Sequence, residues 1–315
     1  MIVLTGGAGF IGSNLLSALN AKGESDVLVV DRRGDNFSNL RDLRFSGFMP
    51  PAEFARALER KALPEKIEAI FHEGACADTT CIDGRYMIEN NFAFSKLLLD
   101  FAVSRRIPFV YASSAAVYGG SRAFAPVREN ERPLNLYGLS KLAFDAHVRH
   151  IAAKASSTVA GLRYFNVYGP RELHKGKMAS MVYQLYRQLK ASGRAKLFEG
   201  TDGYADGEQR RDFVFAGDIV RVNLALAEGP VRSGIFNVGT GQARSFNDVA
   251  KILIARLGAG TIDYVPFPES LAGRYQSFTQ ADLTGLRNSG YVEPFTTLED
   301  GIGKSLDAWK QEPAD

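Results

Sequence analysis

Short runs of apolar residues alternate with longer amphipathic stretches through the first half of the chain. The apolar runs are four or five residues long, as buried strands are, and the amphipathic stretches have the helical period of about 3.6 residues. The predicted strands lie at 1–4, 27–30, 67–71, 109–112 and 158–162, and the predicted helices lie at 10–21, 87–102 and 136–153. Strands that alternate with helices form βαβ units, so we predict an α/β fold with a Rossmann-type, doubly wound parallel sheet.

The pattern loosens from about residue 163 onward, which predicts a smaller lobe of mixed structure. A helical stretch follows at 178–190, and a loop rich in glycine and aspartate occupies 200–207. The segment 212–227 and the strand-like run 235–238 are expected to return to the first lobe. We therefore expect a cofactor domain made of 1–165 and 209–240, and a substrate lobe made of 166–208 and 241–315.

Composition narrows the class of protein. The chain has 315 residues, 45% hydrophobic and 23% charged, which is enough to bury a large core. Its formal net charge of +3 is too small to predict a nucleic-acid surface. No apolar stretch is long enough for a membrane span, and the N-terminus begins at once with a strand, so we expect a cytoplasmic protein. We interpret Cys76 and Cys81 as free thiols, and no recognised ligand spacing predicts a metal.

Three glycines stand between the first predicted strand and the first predicted helix. Gly6 allows a tight turn, Gly9 lets the backbone approach a pyrophosphate, and Gly12 permits close packing of the helix. The amides of the new helix then face the anion. Asp31 follows nineteen residues after Gly12, at the end of the second predicted strand, where a carboxylate can bind a ribose hydroxyl. The spacing predicts a dinucleotide cofactor.

The predicted helix 136–153 carries a candidate base. Tyr137 and Lys141 are separated by one helical turn and share a face, so the ammonium is expected to lie near the phenol. A nearby cation favours the phenolate and lowers the pKa of tyrosine from its usual value of about 10. We expect Tyr137 to accept a proton, Lys141 also to bind a nicotinamide ribose, and Ser114 to orient the reacting hydroxyl.

These motifs resemble the extended short-chain dehydrogenase/reductase family of nucleotide-sugar enzymes, and the resemblance covers essentially the full chain. It rests on 5–12, on 113–119, on Tyr137 with Lys141, and on 163–171. Further segments resemble the members of that family that epimerise ADP-heptoses at C6 of the sugar. Those segments lie at 72–76, 174–180, 197–200, 211–214 and 273–280.

The resemblance implies a reaction, a cofactor and an assembly. The reaction is the conversion of ADP-D-glycero-D-manno-heptose to its L-glycero epimer by transient oxidation and re-reduction, a step toward the lipopolysaccharide inner core. The cofactor is tightly bound NADP, with NAD as the other choice; Arg32 and Arg33 can pair with a 2′-phosphate, whereas Asp31 favours a free ribose. The assembly is a homo-oligomer, in which a pentamer is expected.

The same resemblance carries residue roles onto this chain. Implied cofactor contacts are Phe10, Ile11, Asp31, Arg32, Glu73, Gly74, Ala75, Cys76, Ala77, Asn90, Lys141 and Val167. Implied substrate contacts are Ser114, Asn166, Lys177, Gln184, Phe198, Glu199, Gly200, Thr201, Arg211 and Tyr275. Two of these, Lys177 and Gln184, depart from the serine and histidine that the family often has, and the loop before Arg211 is longer than expected.

Epimerisation also calls for a second proton-transfer group. When the intermediate carbonyl turns to present its other face, its oxygen moves away from the group that deprotonated the first epimer. By its spacing alone Lys175 is a solvated loop lysine. The resemblance at 174–176 instead implies that Lys175 is the second acid/base, with a pKa lowered by partial desolvation.

Three other functions share parts of this sequence pattern. A 4,6-dehydratase needs an acid and a base after the serine pair, and Ala115 and Ala116 stand there. A UDP-hexose 4-epimerase shares the 113–119 segment, so this alternative stays open. A non-enzymatic protein that senses a cofactor would not need Tyr137, Lys141 and Ser114 at one crevice.

Overall fold

The predicted α/β fold is confirmed. The computed structural model describes residues 1–230, 232–269 and 275–311. Its strands are β1 (Ile2–Thr5), β2 (Val27–Val30), β3 (Gly47–Met49), β4 (Ala69–His72), β5 (Phe109–Ser114), β6 (Val159–Tyr164), β7 (Asn166–Tyr168), β8 (Arg194–Phe198), β9 (Arg210–Phe215), β10 (Gly234–Val238), β11 (Ala243–Ser245) and β12 (Thr261–Val265). Its α-helices are α1 (Phe10–Ala21), α2 (Pro51–Glu59), α3 (Gly84–Met87), α4 (Phe94–Ser104), α5 (Leu136–Ala152), α6 (Met181–Ser192), α7 (Ala216–Ala227), α8 (Phe246–Leu257), α9 (Thr284–Asn288) and α10 (Leu298–Trp309). Short 3₁₀ segments lie at Asp35–Leu40, Ala115–Val117, Arg128–Asn130 and Leu173–Met178, and a π-helical turn at Ile88–Ala93 joins α3 to α4.

Seven parallel strands form the central sheet, in the order β10-β6-β5-β4-β1-β2-β3. The chain runs outward from β1 through β2 to β3 and then crosses back to β4, so the winding reverses between β1 and β4. In doubly wound sheets a ligand crevice opens at the carboxyl ends of the strands at this reversal. The loops after Thr5 and His72 therefore flank the expected cofactor site.

Both faces of the central sheet are covered. On β1, Leu4 packs into a cluster with residues of α1 and α7. The residue before it, Val3, packs into a cluster with residues of α4 and α5 on the other face. Successive strand side chains point to opposite faces, which explains the near-continuous apolar runs of the sequence. The sheet edge that carries the site is thereby held rigid on both sides.

A smaller group of elements packs beside the central sheet. β7, β9 and β11 form one sheet, and β8 pairs with β12 in another. Helices α6, α8 and α10 enclose a separate core in which Tyr183 and Tyr186 contact Trp309. β10 belongs to the central sheet beside β6, whereas β9 does not. The division into a cofactor domain and a substrate lobe stays a prediction.

Two predicted helices have different bounds in the structure. The helix expected at 178–190 begins at Met181, because Ser180 caps it by accepting from the Tyr183 amide and the residues before it form a 3₁₀ segment. The helix expected at 87–102 contains the π-helical turn and ends at Ser104. Residues 273 and 274 of the segment used for the resemblance lie outside the described residues. No helix in the described parts of the chain is long and apolar enough to cross a membrane.

Candidate active site

The loop between β1 and α1 requires glycine. Gly6 has a φ of 68°, and a Cβ built there would lie 2.5 Å from the amide nitrogen of Gly74. A Cβ on Gly12 would lie 2.1 Å from the carbonyl oxygen of Gly6. Helix α1 then starts after Gly9 with no side-chain cap and no acidic residue in its first turn. Its first amides are thus left to an anion, as a pyrophosphate site needs.

The other end of this groove lies at the carboxyl end of β2. Asp31 accepts hydrogen bonds from the amides of Ala8 (2.9 Å) and Arg32 (2.7 Å), and burial raises the pKa of its carboxyl. The Arg32 guanidinium donates to Tyr86 Oη at 2.7 Å and to Asn90 Oδ1 at 2.5 Å. A cavity of about 630 Å³ opens over these groups. It fits the ribose end of a dinucleotide.

A second cavity, of about 390 Å³, continues toward the end of β5, and Ala75 lines both. The two cavities bring together most of the predicted cofactor residues. The first is lined by Gly6, Asp31, Arg32, Gly74, Ala75, Cys76 and Asn90. The second is lined by Phe10, Ile11, Glu73, Ala75, Ala77, Tyr137, Lys141 and Val167. The residues present therefore fit a nicotinamide dinucleotide, with the glycine loop beneath its pyrophosphate.

Helix α5 positions the candidate base. Asn135 caps the helix by accepting from the Gly138 amide at 2.8 Å, which places Tyr137 in the first turn and Lys141 in the second. The Lys141 ammonium donates to the Ala112 carbonyl at 2.8 Å and lies 5.9 Å from the centre of the Tyr137 ring. Ser114, at the end of β5, lines the same cavity as Tyr137. Tyrosine, lysine and serine thus meet in one cavity.

The pKa of Tyr137 differs from expectation. Burial raises it, and the nearby Ser114 side chain opposes the rise. The expectation that Lys141 lowers it is wrong for this arrangement, because burial of the phenol dominates and the ammonium is directed at Ala112. Burial also lowers the pKa of Lys141 to about 8, although the Glu73 carboxylate favours its charged form. Sequence spacing gives the proximity of these groups but not their desolvation.

Two titratable groups, the buried His72 and the partly buried Glu73, lie at the end of β4. His72 is hydrogen-bonded to Thr5 Oγ1 (2.6 Å) and to Ser95 Oγ (2.7 Å), and burial lowers its pKa to about 3, so the ring is neutral. Glu73 accepts from Tyr164 Oη at 2.9 Å, and burial raises its pKa to about 7. Tyr164 was not predicted as a site residue, although its place at the end of β6 beside Asn166 was a usable signal.

Lys175 lines the same cavity as Tyr137 and Lys141. It belongs to the 3₁₀ segment Leu173–Met178, and its ammonium lies 4.8 Å from the centre of the Phe10 ring. Burial lowers the pKa of this lysine, and Glu172 opposes the shift. The structure therefore brings Lys175 to the candidate base in a desolvated setting rather than leaving it in a solvated loop.

Four predicted substrate residues line a third cavity, of about 230 Å³: Asn166, Phe198, Arg211 and Tyr275. Asn166 also lines the cavity of Tyr137, so the two cavities adjoin. The Arg211 guanidinium lies 4.7 Å from the centre of the Tyr275 ring, and Phe198 meets the same ring edge-on. A buried cation among aromatic rings suits a nucleotide with an anionic diphosphate.

Other predicted residues lie elsewhere. Thr201 lines a cleft of about 740 Å³ together with Tyr275. Lys177, Glu199 and Gly200 are exposed and line none of the cavities described here. Gln184 donates to the carbonyls of Lys177 (3.1 Å) and Ala179 (2.7 Å), so its amide supports the segment around Lys175. Their roles as substrate ligands stay predictions.

Sequence reasoning missed several residues that line the cavities. Met181 lies in both the Tyr137 and the Arg211 cavities, and Gln209 lies in the latter. Tyr86 stands one helical turn before Asn90 and holds Arg32. The four-residue spacing was a signal for Tyr86, whereas nothing in the sequence marked Met181 or Gln209.

Comparisons with known proteins agree with this geometry. Residues 2–239 match the model of the NAD dependent epimerase/dehydratase family. The chain is 54% identical over 316 aligned residues to the ADP-L-glycero-D-manno-heptose-6-epimerase of Alkalilimnicola ehrlichii, with 100% of this chain and 99% of that protein covered.

Solved structures give the same pattern. The ADP-L-glycero-D-manno-heptose-6-epimerase of Helicobacter pylori has a TM-score of 0.85 and 36% identity, with 99% of this chain and 96% of that chain covered. The UDP-glucose 4-epimerase of Thermotoga maritima, solved with UDP-glucose, has a TM-score of 0.81 and 27% identity, with 98% of each chain covered. Both likenesses extend over the central sheet and the smaller group of elements.

Proposed function

Because the chain belongs to the NAD-dependent epimerase/dehydratase family, we propose that it converts ADP-D-glycero-D-manno-heptose to ADP-L-glycero-D-manno-heptose by inversion at C6. The observation that carries this proposal is the cavity in which Tyr137, Lys141 and Lys175 meet, next to a dinucleotide groove. Full-length identity of 54% to a 6-epimerase favours this substrate over a UDP-hexose, since the 4-epimerase likeness is 27%.

Inversion at C6 requires oxidation rather than direct loss of a proton. No carbonyl neighbours C6 of the heptose, so its C–H bond is not acidic enough for simple abstraction. A nicotinamide dinucleotide held by the glycine loop, Asp31 and Lys141 would supply the hydride acceptor and donor for this oxidation and re-reduction. The protein must therefore manage one hydroxyl proton on each face and keep the ketone in place.

The side chains of the cavity supply these tasks. Tyr137 takes the proton of the C6 hydroxyl, and Ser114, which lines the same cavity, holds that hydroxyl in line by hydrogen bonding to it. Lys141, whose ammonium donates to the Ala112 carbonyl, lines the same cavity and would bind the nicotinamide ribose. Lys175 serves the turned carbonyl, because burial lowers the pKa of its amine and makes the neutral form easier to reach. Arg211 and Tyr275 hold the ADP part of the substrate in the adjoining cavity.

We infer that NADP is preferred over NAD. Arg32 lines the ribose cavity and presents a guanidinium that can pair with a 2′-phosphate, whereas Arg33 lies against the Phe48 ring. Dissociation constants of both cofactors for the apoprotein test this inference. Arg32→Ala should weaken NADP binding more than NAD binding, and equal affinities of the wild type for the two cofactors would count against it.

Product analysis tests the reaction. Purified protein is incubated with ADP-D-glycero-D-manno-heptose in deuterated water, and the product is identified by NMR. The expected product is the L-glycero epimer without deuterium at C6, because the hydride stays on the cofactor. Substantial deuterium at C6 would refute transient oxidation. Interconversion of UDP-glucose and UDP-galactose, with no reaction of the ADP-heptose, would establish the 4-epimerase alternative instead.

A further inference from the structure

Asp212 on β9 has a fully buried carboxyl group that accepts four hydrogen bonds. The residue is 0% exposed. Its Oδ1 accepts from the amide and from the hydroxyl of Thr240, both at 2.7 Å. Its Oδ2 accepts from the amides of Gly241 and Ala281, both at 2.9 Å. Three of these donors are backbone amides, which cannot accept a proton, so the arrangement matches a carboxylate.

The donors come from two separate parts of the chain. Thr240 and Gly241 lie just after β10, which is a strand of the central sheet. Ala281 is the last residue of the segment 275–281, which lies between β12 and α9. The carboxylate of Asp212 therefore joins β9, the loop after β10 and this segment at one point, the Asp212 junction.

The segment 275–281 runs beside β9 with little backbone pairing. The Arg210 amide donates to the Ser277 carbonyl at 2.9 Å, and the Thr279 amide donates to the Arg210 carbonyl at 3.2 Å. Within the described part of the segment, this pairing is one isolated bridge. The Asp212 amide then bonds to Thr279 Oγ1 at 3.3 Å instead of to a carbonyl. Side-chain contacts of Asp212 therefore hold the segment where backbone pairing ends.

The Asp212 junction lies behind the cavity of about 230 Å³ that contains the Arg211 guanidinium. Successive strand residues face opposite sides, so Arg211 lines this cavity whereas the next residue, Asp212, does not. Tyr275 is the first residue of the segment, and its ring centre lies 4.7 Å from the guanidinium. Thr279 Oγ1 also donates to Asn166 Oδ1 at 3.3 Å, and Asn166 lines the same cavity. Three cavity residues thus depend on how the segment is held on β9.

We propose that Asp212 is a positioning residue for the nucleotide part of the substrate: its carboxylate keeps Arg211 and Tyr275 in place on opposite sides of one cavity. The part that concerns substrate binding rests on the proposed function, in which this cavity takes the ADP group. The junction itself can be measured without substrate.

Asp212→Asn weakens the junction without a change of size. Because each carboxylate oxygen accepts two hydrogen bonds, the new NH2 group faces two former donors in either orientation. If it faces Thr240, the hydroxyl can turn and accept, but the amide cannot. If it faces Gly241 and Ala281, both contacts are lost. The segment 275–281 is therefore held less firmly in either case.

Asp218 on α7 provides a matched control. It is also 0% exposed, and it accepts from the amide and from the hydroxyl of Thr296, both at 2.8 Å. It lines none of the four cavities described above. Asp218→Asn therefore disturbs an equally buried carboxylate and leaves the Arg211 cavity untouched.

Hydrogen exchange of the full chain, without added substrate, tests the junction. The amides of Arg210 and Thr279 bond across the isolated bridge and not to the carboxylate, so their exchange reports whether the segment opens. In Asp212→Asn both should exchange about tenfold faster than in wild type, because hydrogen bonds to a charged group are lost. They should not change in Asp218→Asn. No acceleration in Asp212→Asn, or equal acceleration in both variants, would overturn the proposal.

Calorimetric titration tests the effect on nucleotide binding. The protein is first saturated with NADP, so that added ADP reports on the substrate cavity and not on the cofactor groove. Asp212→Asn should bind ADP about tenfold more weakly than wild type, whereas its affinity for NADP and both affinities of Asp218→Asn should be unchanged. Unchanged ADP affinity in Asp212→Asn, or an equal loss of NADP affinity, would overturn the proposal.

The same titration with UDP separates the proposal from the proposed function. A wild type that binds UDP and not ADP would overturn the proposed substrate, and the affinities of the variants for UDP would then decide the role of Asp212. A wild type that binds neither nucleotide would overturn both.

Steady-state kinetics distinguish positioning from a loss of folded enzyme. If Asp212 positions the nucleotide, Asp212→Asn raises the KM for the ADP-heptose about tenfold and changes kcat much less, since Tyr137 and Lys175 lie in the neighbouring cavity. A smaller folded fraction would instead lower kcat at an unchanged KM. That second pattern would overturn the proposal.

A second pair of variants serves if Asp212→Asn does not fold. Thr240→Val removes one hydroxyl donor of the junction and keeps the shape of the side chain, and Thr296→Val is its control at Asp218. Thr240→Val should weaken ADP binding to the NADP-saturated protein about threefold, and Thr240→Ser should restore it. Equal ADP affinities of Thr240→Val and Thr296→Val would overturn the role of the junction.

Discussion

The two lysines beside Tyr137 are carried by very different pieces of backbone. Lys141 lies on α5, a regular helix of 17 residues that packs on the central sheet. Lys175 lies on a 3₁₀ segment of six residues that contains the non-helical Gly176. Helical hydrogen bonds fix the first lysine, whereas the side chains of Glu172, Ser180 and the distant Asn39 fix the segment of the second.

The side-chain hydrogen bonds that hold α5 and the segment of Lys175 in place also differ. Under α5, the buried Asp145 accepts from Tyr111 (2.8 Å), Ser113 (2.9 Å) and Arg163 (2.9 Å), which ties the helix to β5 and β6. The segment of Lys175 depends on Glu172 and on Asn39. A substitution that removes the contacts of Asp145 is therefore expected to destabilise the whole fold. A substitution that removes the contacts around Lys175 is expected to open that segment alone.

The largest effect is expected from removing either proton-transfer group. Tyr137→Phe removes the hydroxyl and keeps the ring, and Lys175→Met removes the amine and keeps most of the stem. Each should lower turnover by about 10²- to 10⁴-fold, the usual contribution of a general acid or base. Steady-state epimerisation rates measure the loss, and circular dichroism and NADP titration should show a folded protein that still binds cofactor.

The two variants also test whether both regions take part in proton transfer. Turnover of Lys175→Met near that of wild type would leave Tyr137 as the proton-transfer group of both faces. The structural difference between the segments of Lys141 and Lys175 would then have no consequence for proton transfer.

The next effect concerns stability rather than turnover. Asp145→Asn leaves the fully buried Arg163 without one of its charge partners, and breaking a buried pair costs about 3 kcal/mol or more. Urea unfolding should show this loss. Asp42→Asn is the control from the other region: its ion pair with Arg171 is exposed on the aspartate side, so the cost should stay below about 1 kcal/mol. Similar losses for the two variants would contradict the contrast.

The regular region was predictable from the sequence because its signals are local. The spacing of apolar residues and the glycine loop gave β2 and α1 with their observed bounds. The four-residue spacing of Tyr137 and Lys141 gave their common cavity. Short-range periodicity and capping determine such elements, so a single sequence contains the information.

The irregular region was not predictable because its contacts are distant. Asn39 bonds to His174 across 135 residues, and no spacing rule connects them. Met178 continues an apolar helical pattern, yet the helix begins three residues later, at Met181, because Ser180 caps it. The prediction of a lowered pKa for Tyr137 was wrong for a related reason. Burial raises that pKa, and burial comes from the packing of several elements around the side chain.

A third prediction concerns the pH dependence of stability at the end of β4. His72 has a folded pKa of about 3 against 6.5, so its contribution is lost as pH falls below 6.5. Glu73 has a folded pKa of about 7 against 4.5, so its contribution is present below 4.5 and is lost as pH rises through 7. The two contributions oppose each other between 4.5 and 6.5.

Glu73→Gln removes the titratable carboxyl and with it the pH-dependent contribution of Glu73 to the free energy of unfolding. The variant should gain about 2 kcal/mol relative to wild type as pH rises from about 4.5 to 7, after allowance for partial exposure of Glu73. Urea unfolding at several pH values measures the gain. A constant difference between variant and wild type across that range would show that the carboxyl titrates normally in the folded protein.

The smallest expected effect is local opening around Lys175. The Asn39 side chain donates to the Ala8 carbonyl at 3.0 Å and bonds to His174 Nδ1 at 3.0 Å, so it joins the glycine loop to the segment of Lys175. Asn39→Ala removes both contacts at a cost of about 1.4 kcal/mol, or about tenfold in the opening equilibrium. Hydrogen exchange of the Lys175 and Ser180 amides should therefore accelerate about tenfold. The amide of Lys141 on α5 is the reference in the same sample, and its exchange should change less. Equal acceleration at both lysines would mean that Asn39 supports the whole fold, and the distinction between the two regions would fail.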